Sequence, residues 1–271
     1  LTETTFEPID TKRDQGTVNF TVNFNAFYGE VIAQFSSCID YGPSDFLHTG
    51  LPNETWYAQV PHYVYWPFEP VSMDWGWCPE DDSAIRYATN DEAALHAFID
   101  SLRLHDGSGV HHGLKYALAL LDPTSNDTFR SLVELGLVPA GFAVRPAAWA
   151  DTTTQKYIVL MSEGVVEAEW RPSNPLDPVN ETQSLREQSG VPSDLHTSGA
   201  TNVESFYALC EAAKAHDVEI FAIAFEAGET GRTQLRDCAS SAAHFFDVDG
   251  ADLSSIFSNV GGQLTQLRLT K

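Results

Sequence analysis

Tyr157-Ile158-Val159-Leu160-Met161 and Val218-Glu219-Ile220-Phe221-Ala222-Ile223-Ala224-Phe225 are apolar runs of strand length, interrupted by one acid. Runs of this kind lack the alternation of a half-wet strand, and they predict parallel strands covered on both faces. Between them lie a Pro-, Ser- and Asn-rich stretch at about 165–200 and a helix predicted from Asn202 to Ala215. Together these are long enough for the crossover that parallel neighbours require. A βαβ unit at the centre of a sheet follows.

Working outward from that unit, a short helix through Leu235 and Cys238, a strand around His244–Val248 and a last helix bearing Leu253, Ile256, Phe257, Val260 and Leu264 continue the alternation. Towards the N-terminus, Val18, Phe20, Val22 and Phe24 alternate with polar residues, the period of a strand over Thr17–Asn25. Ala94, Leu95, Phe98, Ile99 and Leu102 fall at helical spacing behind Asn90 as N-cap, and Leu114, Ala117, Leu118 and Leu121 form a second helix that Asp122-Pro123 ends. Three stretches show no sustained period and read as irregular insertions: about 26–90, 122–154 and 165–200. The chain reads as a single α/β domain over 1–271, with a mainly parallel sheet and helices on both faces.

At 271 residues with 43% hydrophobic and 20% charged residues, the composition is that of a globular chain with ample core. Its net charge of −23 repels phosphate backbones and anionic lipid, which excludes nucleic acid and a membrane surface as expected partners. No apolar run reaches the ~18–20 residues of a membrane helix. Because the sequence opens on Leu1 without a basic, apolar leader, any signal or anchoring segment is expected upstream.

Cys38, Cys78, Cys210 and Cys238 lack the close spacing of zinc or redox motifs, and four cysteines allow three pairings. Cys38 and Cys78 flank one irregular stretch, and Cys210 and Cys238 sit on two predicted helices either side of a strand. Cys38–Cys78 and Cys210–Cys238 are the expected disulfides, with four buried thiols as the alternative.

Several ordered pieces then resemble the von Willebrand factor A-like domain of TadG-type pilus-assembly proteins. They are Lys156-Tyr-Ile-Val-Leu-Met-Ser-Glu-Gly164, Leu209-Cys-Glu-Ala-Ala-Lys-Ala215, Ile220–Phe225, Cys238-Ala-Ser-Ser-Ala-Ala-His-Phe-Phe-Asp247 and Leu267-Arg-Leu-Thr270. Upstream, Trp77-Cys-Pro79, Thr89-Asn-Asp91, Ile99-Asp-Ser-Leu102 and Gly107–Pro123 extend it, so that it spans roughly 17–270. The resemblance implies a non-enzymatic envelope protein of the tight-adherence (Flp) pilus machinery, periplasmic or at the cell surface, that acts in assembly or adhesion through protein partners. It also implies that the family's first strand and helix are absent from this chain. That strand belongs in the sheet's middle, beside Thr17–Asn25, and a partner or a cleaved N-terminal fragment would supply it, because unpaired groups in a buried ladder cost ~1–3 kcal/mol each.

The family's adhesion site holds Mg²⁺ or Ca²⁺ through Asp-x-Ser-x-Ser, a Thr and an Asp. Here Ser108 stands at the Thr position and Glu163 at the Asp position, and no Asp-x-Ser-x-Ser occurs. Hard cations take about six or more oxygens, so Ser108 and Glu163 alone form an incomplete site that an upstream or partner segment would complete. A hydrolase built on Ser108 and His112 is a further alternative. It is disfavoured because adjacent histidines on a helix point about 100° apart and no Gly-x-Ser-x-Gly or His-Glu-x-x-His motif is present. No catalytic residue is expected. Trp56, Trp66, Trp75 and Trp77, four of the six tryptophans, are the candidate partner-binding residues, with packing inside their own insertion as the bland reading.

Overall fold

The structure is a computed structural model and describes residues 20–23, 32–39, 41–51, 59–62, 73–74, 83–102, 104–105, 109–173, 193–248 and 253–269. In chain order the strands are β1 (Phe20–Asn23), β2 (Ile32–Ile39), β3 (Gln59–His62), β4 (Met73–Asp74), β5 (Leu104–His105), β6 (Lys156–Ser162), β7 (Glu169–Pro172), β8 (Ser193–Thr197), β9 (Val218–Phe225) and β10 (Phe245–Val248). The helices are α1 (Glu92–Ser101), α2 (Val110–Leu121), α3 (Asn126–Glu134), α4 (Gly199–Ala215), α5 (Glu229–Cys238) and α6 (Leu253–Leu269).

The two apolar runs pair in parallel, with Lys156 opposite Val218 and Ser162 opposite Ala224. β10 joins the other edge of β9, also parallel, giving the order β10-β9-β6. Helices connect these strands, α4 leading into β9 and α5 into β10. This is the α/β arrangement of Rossmann type that the sequence predicts. Period 2 along β6 and β9 sends Ile158, Leu160, Val218, Ile220, Ala222 and Ala224 into one core with Leu114 and Leu118 of α2, Phe206 and Leu209 of α4, and Leu235 of α5. Cys210 of α4 is bonded to Cys238 of α5 within that core, as expected.

The opposite face is uneven. Phe221 and Ile223 of β9 are fully buried, whereas Val159 and Met161 of β6 are 41% and 47% exposed. The expectation of two covered faces therefore holds for β9 and fails for β6. Its run is apolar on both sides, but only Ile158 and Leu160 are covered. β1, β2 and β3 form a separate antiparallel sheet, so the strand expected within the parallel sheet pairs instead with β2.

Several boundaries differ from the sequence reading. The stretch 26–90 holds β2, β3 and β4, and 122–154 holds α3, which packs Phe129 and Leu132 with Val138 in a small core of its own. The stretch 165–200 holds the antiparallel pair β7–β8. Asp91, not Asn90, caps α1, accepting a hydrogen bond from the Ala94 N–H at 3.0 Å. α1 buries none of its residues, and Ile99 is 62% exposed. No described helix is long and apolar enough to cross a membrane.

Candidate functional site

Two features stand out at β6 and its cover. The first is the strand itself. Among the described residues β6 pairs with one strand, β9, and its outward-facing Val159 and Met161 are exposed.

The second lies at the first turn of α2, beside the loop that follows β6. That loop is pinned: the Val166 N–H donates to Gln234 Oε1 at 3.0 Å, and Asn202 Nδ2 donates to the Glu167 carbonyl at 2.7 Å. Gly231 of α5 approaches so closely that a Cβ there would sit 2.9 Å from the Gly164 carbonyl oxygen, so a side chain would push the loop away. The loop delivers Glu169 at the start of β7, where the pairing with β8 shifts register. Strand period places Arg171 on the same side, and its Nη2 lies 3.1 Å from Glu169 Oε2.

The other carboxylate oxygen, Oε1, receives both histidines of α2. His112 Nε2 donates to it at 2.7 Å, and His111 Nε2 lies 2.9 Å from it, out of line for a hydrogen bond. The sequence reading set adjacent histidines about 100° apart as an argument against joint action. The carboxylate sits between their directions, and that position brings them together. His111 is fully buried, and neither of its ring nitrogens has a hydrogen-bond partner. Phe46 packs against both imidazoles, at 5.0 and 5.2 Å between ring centroids, and Tyr41 stacks on His112 at 5.7 Å. The Tyr41 carbonyl in turn accepts from His196 Nε2 at 2.9 Å, tying this wall to β8.

The electrostatics follow from burial. Loss of solvation holds His111 below its ordinary pKa, with Glu169 opposing and His112 adding to the effect. Burial alone would raise the Glu169 carboxyl, but the His112 hydrogen bond and the close imidazoles of His111 and His112 outweigh it and hold the group well below the usual carboxylate range. One turn further along α2, Lys115 is fully buried, and its Nζ donates to the His48 carbonyl. Burial lowers its pKa to about 8 against the opposing pull of Asp45 and Asp122. Asp122 accepts from Thr49 and from the Thr124 N–H, and these hydrogen bonds keep it ionised despite its burial.

Of the residues the sequence singled out, Glu163 is exposed just beyond the carboxyl end of β6. Ser108 lies outside the described residues, so the structure gives no account of a Ser108–Glu163 cation site or of a Ser108–His112 pair. Trp56, Trp66, Trp75, Trp77 and the Cys38–Cys78 pairing lie outside them as well. The adjacent histidines His111 and His112 are legible in the sequence, whereas Glu169 stands 57 residues beyond His112 in a stretch without sustained period. Its one local signal is the Glu169-Trp-Arg171 alternation that opens β7.

No family model matches this chain, and no curated protein matches it. Among solved structures, the vWF domain of the type V pili tip protein Mfa5 from Porphyromonas gingivalis matches at 16% identity and a TM-score of 0.41. The match covers 65% of this chain and 74% of that one.

Proposed function

We propose that this chain is a non-enzymatic binding and assembly module of the cell envelope, of the von Willebrand A-like kind that the sequence resembles in TadG-type tight-adherence pilus proteins. It acts in the periplasm or at the cell surface. The observation that carries the reading is β6, which has β9 as its one partner strand among the described residues and a half-exposed apolar face, a combination that suits the addition of an extended apolar segment from another polypeptide. Covering the exposed part of Val159 and Met161 would contribute about 1 kcal/mol each, on top of the new ladder hydrogen bonds. The net charge of −23 favours a partner whose strand is flanked by basic residues. The Cys210–Cys238 disulfide supports an oxidising compartment.

The test is a photo-crosslinking amino acid placed at position 161 in cells that make the protein, with a control at Val144, another exposed apolar residue that lies outside β6. The reading predicts one defined polypeptide adduct at 161 and none at 144. No adduct at 161, or the same products from both positions, contradicts it.

A further inference from the structure

We propose that His111, His112 and Glu169 form a binding site for one divalent transition-metal ion of the Zn²⁺ class. It is distinct from the hard-cation adhesion site that the resemblance implies. The ligand atoms His111 Nε2, His112 Nε2 and a Glu169 carboxylate oxygen lie within 4.8 Å of one another. Two imidazoles and one carboxylate are a donor set that suits Zn²⁺ and its neighbours and is foreign to Mg²⁺ and Ca²⁺, which take oxygen ligands.

The independent pointer is His111. Its imidazole is fully buried and both its nitrogens lack an aligned hydrogen-bond partner, an arrangement that is costly unless another species satisfies it. Its Nε2 is nonetheless held 2.9 Å from Glu169 Oε1, beside the Nε2 of His112. In a tetrahedral site with metal–ligand bonds of about 2.1 Å, neighbouring ligand atoms stand about 3.4 Å apart. The present 2.7 and 2.9 Å separations reach that with a small rotation of the carboxylate. On binding, the ion replaces the proton that His112 shares with Glu169, and that proton is released to solvent.

The surroundings are those of a supported site. Arg171 holds Glu169 Oε2 and leaves Oε1 to the imidazoles, while Phe46 and Tyr41 fix the ring planes. The side chain of His112 is 26% exposed and gives the ion a way in. Three protein ligands leave one tetrahedral position for water. The ion would fasten the start of α2 to β7, and so lock the helix that covers the inner face of β6.

Titration calorimetry of the 271-residue chain with ZnCl₂, in moderate salt and excess Mg²⁺ to occupy the acidic surface, tests the site. One equivalent of Zn²⁺ should bind the unaltered chain and the Glu163→Gln variant alike. His112→Ala and Glu169→Gln should weaken it by more than the roughly 10- to 100-fold that loss of an outer-shell partner costs. As a check that does not depend on variant folding, Co²⁺ bound to the unaltered chain should show the intense visible absorption of a four-coordinate ion, and Zn²⁺ should displace it. Absence of Zn²⁺ binding by the unaltered chain, equal affinity in His112→Ala and Glu169→Gln, or a six-coordinate Co²⁺ spectrum would each overturn the proposal.

Discussion

β9 and β6 are neighbours in one sheet with similar sequences and opposite settings. β9 is paired on both edges and buried on both faces, and the helices over its inner face, α4 and α5, are joined by Cys210–Cys238. Among the described residues β6 is paired on one edge, it is exposed on half of one face, and the helix over its inner face, α2, carries buried His111 and Lys115. Burial that is apolar and cross-linked gives stability, whereas burial that is polar and half-open is costly and is kept where a partner or ion can offset it. β9 is thus the strut of the domain, and β6 with α2 is the side on which the proposed partner and ion would act.

Substitutions should separate the two strands sharply. Phe221→Ala, in the fully buried outer face of β9, is expected to lower unfolding free energy by about 3–5 kcal/mol in denaturant melts. Removing the disulfide as Cys210→Ser with Cys238→Ser should cost about 3 kcal/mol, because it frees a closed loop in the unfolded chain. Val159→Ser or Met161→Ser, on the exposed face of β6, should stay within about 0.5 kcal/mol in the isolated chain. A large loss at 159 or 161 in the isolated chain would erase the contrast.

The titratable groups around α2 give pH signatures that β9 lacks. His111 is held below its ordinary pKa, so as pH falls below about 6.5 the unfolded chain takes up a proton before the folded one, and stability declines. Glu169 is ionised in the fold down to lower pH than in the unfolded chain, so a further decline sets in below about 4.5. Chemical melts from pH 8 to 4 should show both, and His111→Gln should remove the first. Lys115 has the opposite sense. Its pKa of about 8 lies below that of the unfolded chain, so its unfavourable burial is relieved as pH rises from about 8 towards 10.5. The resulting rise in stability should vanish in Lys115→Met.

Much of the β9 side was legible in the sequence. Unbroken apolar runs, helix spacing in α4 and α5, and the placement of Cys210 and Cys238 report on burial and neighbourhood through local pattern alone. The β6 side was legible only in part. A run in which all five of Tyr157–Met161 are apolar has no alternation, so it cannot reveal that Val159 and Met161 face solvent. α3 was missed because Phe129 and Leu132 are its only buried residues, too few to set a period. The His111–His112–Glu169 meeting depends on where the loop after β6 is pinned by Gln234 and Asn202, contacts between residues far apart in the chain that no local pattern encodes.

The central claim is that β6 is a sheet edge completed by another polypeptide. Amide hydrogen exchange across Tyr157–Met161, compared between the isolated chain and the protein in its native assembly, tests it most directly. The account predicts that amides directed away from β9 exchange rapidly in the isolated chain and become protected in the assembly, while β9 is protected in both. Equal exchange of β6 in the two states would contradict it.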